Sequence, residues 1–492
     1  MERLIKFALK RRGLVAVIFV VISLFGIFSW TRLSIDAYPD IADVTVQVVT
    51  QVPGLAAEEV EQQITIPLER ALNGIPSLDI MRSKNSFGLS IIIMVFQDGT
   101  EDYWARQRVT ECISDVDLPY GAVPELNPLT SPTGEIYRYV LVGEGYSLRE
   151  LTEINKWTVI PALQRIQGVA AVSNYGGLTT QYQLELDPQK LLAYDLTLSD
   201  VEDALNNNNA NAGGSMINVG DVSYVVRGVG LVQELDDLGD IVVKNDDGIP
   251  VFLRDLGEPK YGNLERKGIL GYVDDDISFN DGVEGIVQML RYQNPSQVLE
   301  KVHKVVDELN NDELPEGVEI RTFMDRTYLV GTTLNTVKHT LFFGMLLVIG
   351  ILIIFLGSPK SSLIVAATIP ISLLIAFILM HLTNIPANLL SIGAIDFGIL
   401  VNGAIIMTET ILKLREEDTS KPLTGKETLN RVLEVAKPIL FSMLIIIVAY
   451  MPLFAFERIE KKLFTPMAFT MGYALLGALS VALLLIPGLA YA

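Results

Sequence analysis

Residues 389–409 have the sequence LLSIGAIDFGILVNGAIIMTE, an apolar run that contains a single aspartate, Asp396. The length and composition of the run predict a helix that crosses a lipid bilayer. A carboxylate at mid-membrane depth costs about 2.5–3.5 kcal/mol on insertion scales. Packing between helices does not require that cost, so the stretch indicates an ion or proton pathway and predicts a transporter.

Five further segments have the length and composition of membrane helices. The six predicted spans are 13–30, 341–356, 363–382, 387–412, 439–454 and 464–490. The first span follows a basic tail but lacks a small-residue cleavage site, which predicts a retained helix rather than a signal peptide. The long region between the first two spans has the composition of globular protein.

This globular region is strongly acidic. Residues 32–338 hold 23 Lys and Arg against 48 Asp and Glu, which leaves a net charge of −25. An acidic surface repels phosphate backbones, so binding to nucleic acid is not expected. The acidity favours solubility, and it would also concentrate cations near the surface.

Basic residues predict the orientation of the spans. One cluster precedes the first span and consists of Arg3, Lys6, Lys10, Arg11 and Arg12. A second lies between the fourth and fifth spans and consists of Lys413, Arg415, Lys421, Lys426, Arg431 and Lys437. Both clusters are expected in the cytoplasm, with the acidic region on the far side. One loop disagrees with this orientation, because its basic residues would lie on the far side: Arg458, Lys461 and Lys462.

Residue types that carry enzyme chemistry are sparse. Cys112 is the only cysteine, so no disulfide within the chain and no cysteine-based zinc site is expected. We find no nucleotide-binding loop and no pattern typical of a catalytic triad. The sequence therefore predicts neither an enzyme nor a stably bound cofactor.

Strand and helix patterns alternate within the globular region. Strands are predicted at 45–50, 89–96, 136–142, 169–175, 282–292 and 318–323. Helices are predicted at 55–72, 101–113, 151–166 and 295–309, and Pro67 is expected to break or kink the first of them. Such repeats indicate small sheets that are covered by helices on one face.

An asparagine-rich segment, 206–214, leads into a predicted hairpin at 215–227, with Val219, Gly220 and Asp221 in its turn. The hairpin is either a mobile surface loop or an arm that reaches a neighbouring subunit. The residues alone do not decide between these two interpretations.

Short motifs of the globular region occur in the order and spacing of one known family. They are Pro39-Asp40-Ile41, Pro53-Gly54-Leu55, Val60-Glu61-Gln62, Arg82-Ser83, Gly88-Leu89-Ser90, Asp98-Gly99-Thr100, Ala105-Arg106-Gln107, Val283-Glu284-Gly285-Ile286-Val287, Leu314-Pro315-Glu316-Gly317-Val318 and Asp325-Arg326. With these motifs the chain resembles the N-terminal half of a resistance–nodulation–division (RND) efflux pump. It is most similar to the heavy-metal branch, which comprises the cobalt–zinc–cadmium and copper–silver exporters.

The resemblance implies a bundle of six spanning helices with a large extracytoplasmic α/β region. That region would contain ferredoxin-like porter subdomains and a docking subdomain. The implied boundaries are 1–31 for the tail and first helix, 32–133 for the first porter subdomain, 134–181 with 271–332 for the second, 182–270 for the docking subdomain and 333–492 for helices two to six. Residues 218–221 (Asn218, Val219, Gly220 and Asp221) would form an arm that clasps a trimer.

The membrane motif carries the most specific likeness. Heavy-metal exporters typically show Asp-Phe-Gly-x-x-Val-Asp-Gly-Ala followed by a glutamate, and this chain has Asp396-Phe397-Gly398-Ile399-Leu400-Val401-Asn402-Gly403-Ala404 and then Glu409. Drug exporters tend to have two adjacent aspartates at the second acidic position. The motif therefore favours the metal branch, but Asn402 replaces a titratable aspartate.

The implied role of Asp396 is to carry the coupling proton, because a desolvated carboxyl group can be neutral or charged near physiological pH. Asn402 cannot exchange a proton, and we interpret it as a hydrogen-bonding group between helices. On an ideal helix Asn402 lies about 120° from Asp396 and shares a face with Glu409. Glu409 is either a relay member or a group that reaches the polar interface.

Two further residue types in the motif have expected roles. Met407 offers a thioether that suits soft metal ions, although simple packing is the preferred interpretation. Gly393, Gly398 and Gly403 are expected to let another helix approach closely.

A full protomer of the family has about twice as many spanning helices. This half is therefore expected to pair with its own C-terminal half or a separate second chain, to assemble with copies of itself, or to be a truncated product. The implied partners are a homotrimer, a periplasmic adaptor (membrane fusion) protein, an outer-membrane channel and the lipid bilayer of a bacterial inner membrane. Three functions stay open: a proton-driven metal exporter, a transport-inactive assembly subunit, which Asn402 favours, and an exporter of drugs or amphiphiles.

Overall fold

The computed structural model describes residues 2–33, 35–36, 40–246, 248–266, 268–417 and 425–491. Pro39 and Lys421, which entered the sequence analysis, lie outside the described residues. Within these described ranges, six helical segments are long and apolar enough to cross a membrane. They are α1 (Arg12–Arg32), α2 (Arg326–Leu356), α3 (359–382, made of Pro359–Ala366 and Thr368–Leu382), α4 (Phe397–Glu417), α5 (Gly425–Ala449) and α6 (Arg458–Ser480, continued by Val481–Leu485 and Ile486–Tyr491).

All six predicted spans exist, but the predicted continuous helix at 387–412 is wrong. The chain forms a short helix, Leu389–Gly393, and leaves helical geometry before α4 begins at Phe397. Asn388 caps the short helix, because its side chain accepts a hydrogen bond from the Ser391 amide at 2.7 Å. The Asn388 cap therefore starts a separate short helix within an apolar run that hydropathy alone predicts as one span.

Two other spans begin well before their predicted starts. The predicted start of the second, at 341, lies well inside α2, which begins at Arg326 as soon as the preceding strand ends. Helix α5 begins at Gly425, before its predicted start at 439, and ends at Ala449, short of its predicted end at 454, where the 3-10 turn Met451–Ala455 follows. Hydropathy detects only the apolar part of these helices. Their polar ends remain helical outside the membrane.

The first globular unit is a four-stranded antiparallel sheet in the order β2-β3-β1-β4. Its strands are β1 (Thr45–Gln51), β2 (Leu78–Ser86), β3 (Leu89–Phe96) and β4 (Pro124–Leu126). Alternate residues of β1 and β3 are buried against a helical segment at 57–72 and the helix Asp102–Ser114. Strand β2 was not predicted, because its central residues are mostly charged or polar.

The second unit repeats this arrangement. Its strands are β5 (Thr130–Gly143), β6 (Val169–Gly176), β7 (Val283–Leu290) and β8 (Val318–Asp325), in the antiparallel order β8-β5-β7-β6. The helical segment 148–164 and the helix Pro295–Glu308 pack on one face. Both units thus have the ferredoxin-like strand order, which confirms the predicted repeat.

Among the described residues, three Ile-Pro pairs inside helices each follow one π-helical turn, whereas a fourth pair, Ile369-Pro370 at the start of Thr368–Leu382, does not. The turns are Glu61–Thr65, Asn155–Val159 and Val481–Leu485, before Pro67, Pro161 and Pro487. Proline has no amide hydrogen and its ring crowds the preceding turn, so the wider π turn accommodates it without ending the helix. The expected break at Pro67 therefore does not occur.

The segment between β6 and β7 forms a smaller unit around the antiparallel strands Thr180–Leu186 and Gly257–Asn263. It also contains the helix Leu198–Asn208 and the short hairpin Ile249–Phe252 with Val242–Asp246. From it projects the predicted long hairpin, formed by Met216–Val219 and Val222–Val225. Val219 pairs with Val222 across the two-residue turn, where Gly220 has a positive φ of 62°.

The two ends of the helix bundle can be told apart. At one end Ile35–Asp36, which follows α1, pairs in parallel with Ala387–Asn388. At the other end the N-terminal helix Glu2–Lys10 packs against α5 and the end of α6. The basic tail and the polar beginning of α5 therefore lie together, on the side opposite the globular units, as the positive-inside pattern predicts.

The basic loop that disagreed with this pattern lies on the globular side, where ion pairs explain its charge. Arg458 Nη2 lies 2.8 Å from Asp79 Oδ2, and Lys462 Nζ lies 2.7 Å from Asp43 Oδ1. Both partners are acids of the first globular unit. Two of the three positive charges, those of Arg458 and Lys462, are therefore neutralised by tertiary contacts that loop counting cannot detect.

Candidate functional site

The break between Gly393 and Phe397 places Asp396 at the N-terminus of α4. Its Oδ1 accepts hydrogen bonds from the amides of Gly398 at 2.8 Å and Ile399 at 3.4 Å. The amides at a helix N-terminus carry partial positive charge and have no partner within the helix, so a carboxylate is a favourable acceptor there. Discontinuous membrane helices are a typical way of building ion sites within a bilayer.

The aromatic ring of Phe397, the first residue of α4, packs against α2 beside the break. It lies so close to Gly344 of α2 that a Cβ added at Gly344 would sit 2.5 Å from the ring. The sequence analysis missed this contact, because α2 and α4 are separated by more than fifty residues. It also missed an available signal for the break, since aspartate is a preferred N-cap residue.

Asp396 is exposed in this chain rather than buried among helices. Further along α4, Asn402, Ile406 and Glu409 are also exposed and lie on one open face. Asn402 and Glu409 share this face as predicted, but the ideal-helix angle from Asp396 does not apply, because Asp396 caps the helix. A face with a carboxylate and a carboxamide is costly against lipid.

The Asn402 side chain makes no hydrogen bond to the described residues, so its role as a hydrogen-bonding group between helices stays a prediction. Its side chain lines a cleft of about 150 Å³ between α4 and α5. The other lining residues are Gly403, Ile406, Val435, Pro438, Ile439, Ser442, Met443 and Ile446. The amide group therefore faces a mostly apolar opening with Ser442 as the polar neighbour.

Glu409 lies about two turns from the end of α4 and forms an ion pair with Lys413, with 2.7 Å between Oε1 and Nζ. Both side chains are at least half exposed. This geometry fits the interface interpretation better than the relay interpretation, and the relay role of Glu409 stays a prediction.

Met407 is fully buried within the bundle and packs there. Among the described residues, no group of three or more His, Cys, Asp or Glu could hold a metal ion. The metal role of Met407 stays a prediction.

The three motif glycines differ in what they contact. A Cβ on Gly403 would lie 3.1–3.3 Å from Ile439, Ala482 and Met443, which confirms close helix packing there. Gly393 has open space around it, and Gly398 faces the Asp396 carboxylate rather than another helix. Close approach is therefore confirmed for Gly403, and for Gly393 and Gly398 it stays a prediction.

The predicted arm residues lie in a different part of the molecule from Asp396. Asn218, Val219, Gly220 and Asp221 form the tip of the projecting hairpin, outside the membrane helices. Every residue of the two hairpin strands is exposed. Apolar side chains lie on both hairpin faces, including Met216, Ile217, Val219, Val222, Tyr224 and Val225. Neither face has a core of its own, which is typical of a segment that another chain covers.

Comparisons with known proteins agree with this architecture. The AcrB/AcrD/AcrF family matches residues 4–491. The chain is 39% identical over 504 residues to the cation efflux system protein CzcA of Alcaligenes sp. (strain CT14), covering 99% of this chain and 47% of that relative. It is 35% identical over 502 residues to the cation efflux system protein CusA of Escherichia coli (strain K12), with the same two coverages.

A solved crystal structure described as a heavy metal efflux pump superimposes with a TM-score of 0.89 and 54% sequence identity. The alignment covers 99% of this chain and 48% of that one, so this chain spans about half the length of the relatives it matches. The six-helix bundle, the paired ferredoxin-like units and a family match over nearly the whole sequence lead to one conclusion. The chain belongs to the AcrB/AcrD/AcrF family.

Proposed function

We propose that this chain forms the N-terminal half of an RND-type transporter that exports heavy-metal cations and is driven by protons. The observation that carries the proposal is the carboxylate of Asp396 at the N-terminus of a broken membrane helix, 2.8 Å from the Gly398 amide. The names of its relatives support the substrate class, since they are described as cation efflux and cobalt-zinc-cadmium resistance proteins.

In this proposal Asp396 alternates between two hydrogen-bonding states. As a carboxylate it accepts from the first amides of α4, and the helix dipole favours that charge. When a proton from the far side of the membrane binds Asp396, the carboxyl group becomes a weaker hydrogen-bond acceptor. The start of α4 is then free to move relative to α2. The second half would cover the open face of α4. It would desolvate the site and supply a positive charge that pairs with the Asp396 carboxylate.

The globular region would carry the metal in the periplasm of a bacterium, with the bundle in the inner membrane. We propose porter subdomains at 32–133 and at 134–181 with 271–332, and a docking subdomain at 182–270. The exposed hairpin would clasp a neighbouring protomer of a trimer through residues 218–221. A periplasmic adaptor and an outer-membrane channel would complete the export path, and no enzymatic step is proposed.

A second candidate function is a transport-inactive assembly subunit. Asn402 favours it, because an amide cannot take or release a proton at a position where the family motif has an aspartate. Under this alternative the chain would retain the fold and the trimer contacts but would not couple protons to transport. An exporter of drugs or amphiphiles is the third possibility, and the Asp-Phe-Gly motif argues against it.

Resistance assays test these alternatives. Bacteria that lack their own exporters would express the transporter assembled with its second half and grow on zinc, cobalt, cadmium, copper or silver salts, or on a panel of drugs. The metal proposal predicts resistance to at least one metal, no drug resistance and loss of resistance in Asp396→Asn. Asp115→Asn, which changes an exposed acid of the first globular unit, is the control.

The variant Asn402→Asp separates the exporter from the assembly subunit. An exporter that uses Asp396 alone would already confer resistance without the change. An inactive subunit would confer none, and resistance that appears only in Asn402→Asp would identify position 402 as the missing proton carrier.

A further inference from the structure

Residues 40–43, which we call the junction segment, lead from the first membrane helix into β1 and are held by two cations from different parts of the fold. Arg291 follows β7 of the second globular unit, and Lys462 lies in the first turns of α6. Both side chains donate a hydrogen bond to the same acceptor, the carbonyl oxygen of Ala42. One backbone carbonyl therefore connects the second globular unit to a membrane helix.

The Arg291 guanidinium is almost completely enclosed, with 7% of its side chain exposed. Its Nε lies 3.0 Å from Asp40 Oδ2, and its Nη1 lies 2.9 Å from Asp102 Oδ1 at the start of a helix in the first unit. The Tyr292 hydroxyl donates to the other oxygen of Asp102 at 2.7 Å. This group joins the two globular units through charge-assisted hydrogen bonds, the stronger class of such bonds.

Lys462 approaches the junction segment from the membrane side. Its Nζ lies 2.7 Å from Asp43 Oδ1, 2.9 Å from the Ala42 carbonyl oxygen and 3.9 Å from Asp98 Oδ1. The Arg458 amide donates to the second oxygen of Asp98 at 2.8 Å. Lys461, the neighbour in sequence, is exposed and makes no ion pair to the described residues. The contact therefore depends on which of two adjacent lysines faces the globular unit.

Within the membrane, α6 and its continuation pack closely on the helices around Asp396. A Cβ on Gly477 of α6 would lie 2.8 Å from the carbonyl oxygen of Ser372 in α3, so the two backbones nearly touch. A Cβ on Gly403 of α4 would lie 3.3 Å from the Ala482 Cβ, in the π turn that continues α6. Close packing transmits displacement between helices instead of absorbing it. A shift of α4 would thus be passed to α6.

We propose that Lys462 and Arg291 form a charged joint that transmits movement of the proton-carrying helix α4, through α6 and the junction segment, to both globular units. Lys462 and Arg291 are positioning residues in this scheme, because neither contacts the proton or the metal. The scheme rests on the proposed function, because it assumes that proton binding at Asp396 drives transport. Its mechanical claim is that a change in the protonation of residue 396 alters the contacts of residues 40–43. This claim can be tested without measuring transport.

The test is hydrogen–deuterium exchange of peptides that cover 40–51 and 98–105, measured on the full chain in lipid nanodiscs. Lys462→Met is compared with Lys461→Met, the same change at the adjacent exposed lysine. Loss of charge-assisted bonds should speed exchange in both peptides by about ten- to a hundredfold, whereas the control should match the parent chain. Asp43→Asn removes the partner and should have the same effect if Lys462→Met fails to fold.

The decisive comparison combines these changes with Asp396→Asn, which mimics the protonated group. We expect Asp396→Asn to change exchange at 40–51 at least about threefold in the parent and in Lys461→Met, but not in Lys462→Met. An effect of Asp396→Asn that persists in Lys462→Met, or that is absent from the parent, would overturn the joint.

Zinc transport by the assembled protein separates the two proposals. If the parent transports zinc, Lys462→Met should lower turnover at least about tenfold while zinc affinity stays within twofold, and an unchanged turnover would also overturn the joint. A parent that transports no metal would refute the proposed function, and the exchange comparison would still decide the joint.

Discussion

The buried ion pair in the second globular unit gives a stability prediction that can be worked out from the geometry. Glu284 on β7 is 1% exposed, and its Oε1 lies 2.5 Å from Arg138 Nε on β5. The Arg138 guanidinium also lies over the Phe323 ring, 5.6 Å from its centroid. Replacing Arg138 by methionine keeps much of the apolar side chain but leaves a carboxylate buried without its partner. Breaking a buried pair in this way costs about 3–5 kcal/mol.

Native-state hydrogen exchange measures this cost within the folded chain. Each 1.4 kcal/mol is a factor of ten, so amides of β5 and β7 that exchange through opening of the unit should exchange about a hundred to several thousand times faster in Arg138→Met. Arg165→Met removes an exposed arginine of the same unit and serves as the control. The first globular unit should be unaffected.

The double variant Arg138→Met with Glu284→Leu tests the reasoning itself. Replacing both partners by apolar groups is often neutral, so most of the lost protection should return. Exchange in the single variant within fivefold of the parent would refute the assignment of a costly unpaired carboxylate. A double variant as unprotected as the single one would show that packing of Arg138, rather than its charge, determines stability.

Three further predictions concern other parts of the molecule. Gly344→Val should displace the Phe397 ring and abolish metal resistance, as measured by growth. The variant should still insert in the membrane, as measured by membrane fractionation, and Gly350→Val, at a position with no neighbour within 4 Å of an added Cβ, is the control. Tyr224→Asp in the hairpin should leave the fold intact and weaken trimers by more than tenfold, as measured by light scattering. The Ile277 and Asp276 amides hold the pKa of Asp274 well below its usual range, so the stability that this carboxylate gives its turn is present above about pH 4 and is lost as pH falls further. In Asp274→Asn, exchange of the Ile277 amide, corrected for its intrinsic pH dependence, should no longer vary across that acidic range.

Local patterns predicted most of the fold. β3 was found at its observed ends because alternate residues face one core, and the hairpin turn was found because Gly220 supports a positive φ. The π turn before Pro67 was not foreseen, because the sequence shows where proline obstructs a helix but not how the backbone responds. β2 was missed because its charged residues face solvent in an otherwise half-buried sheet.

The site was predicted by residue type but not by geometry. Asp396 was selected for its position in an apolar run, yet its place at a helix N-terminus follows a short helix capped by Asn388 and adjoins the contact between Phe397 and Gly344. The contact of Lys462 with Asp43 joins residues more than four hundred positions apart. Such contacts depend on how the globular units and the helix bundle assemble, and a single sequence does not show that assembly.

The central claim is that Asp396 carries the proton that drives metal export. The most direct measurement is zinc-dependent proton flux in liposomes that contain the assembled transporter, under an imposed pH gradient and with a pH-sensitive dye inside. We predict that zinc starts a proton flux in the parent and in Asp115→Asn, and that Asp396→Asn reduces the flux to that of empty liposomes. A flux in Asp396→Asn equal to that of the parent would contradict the account.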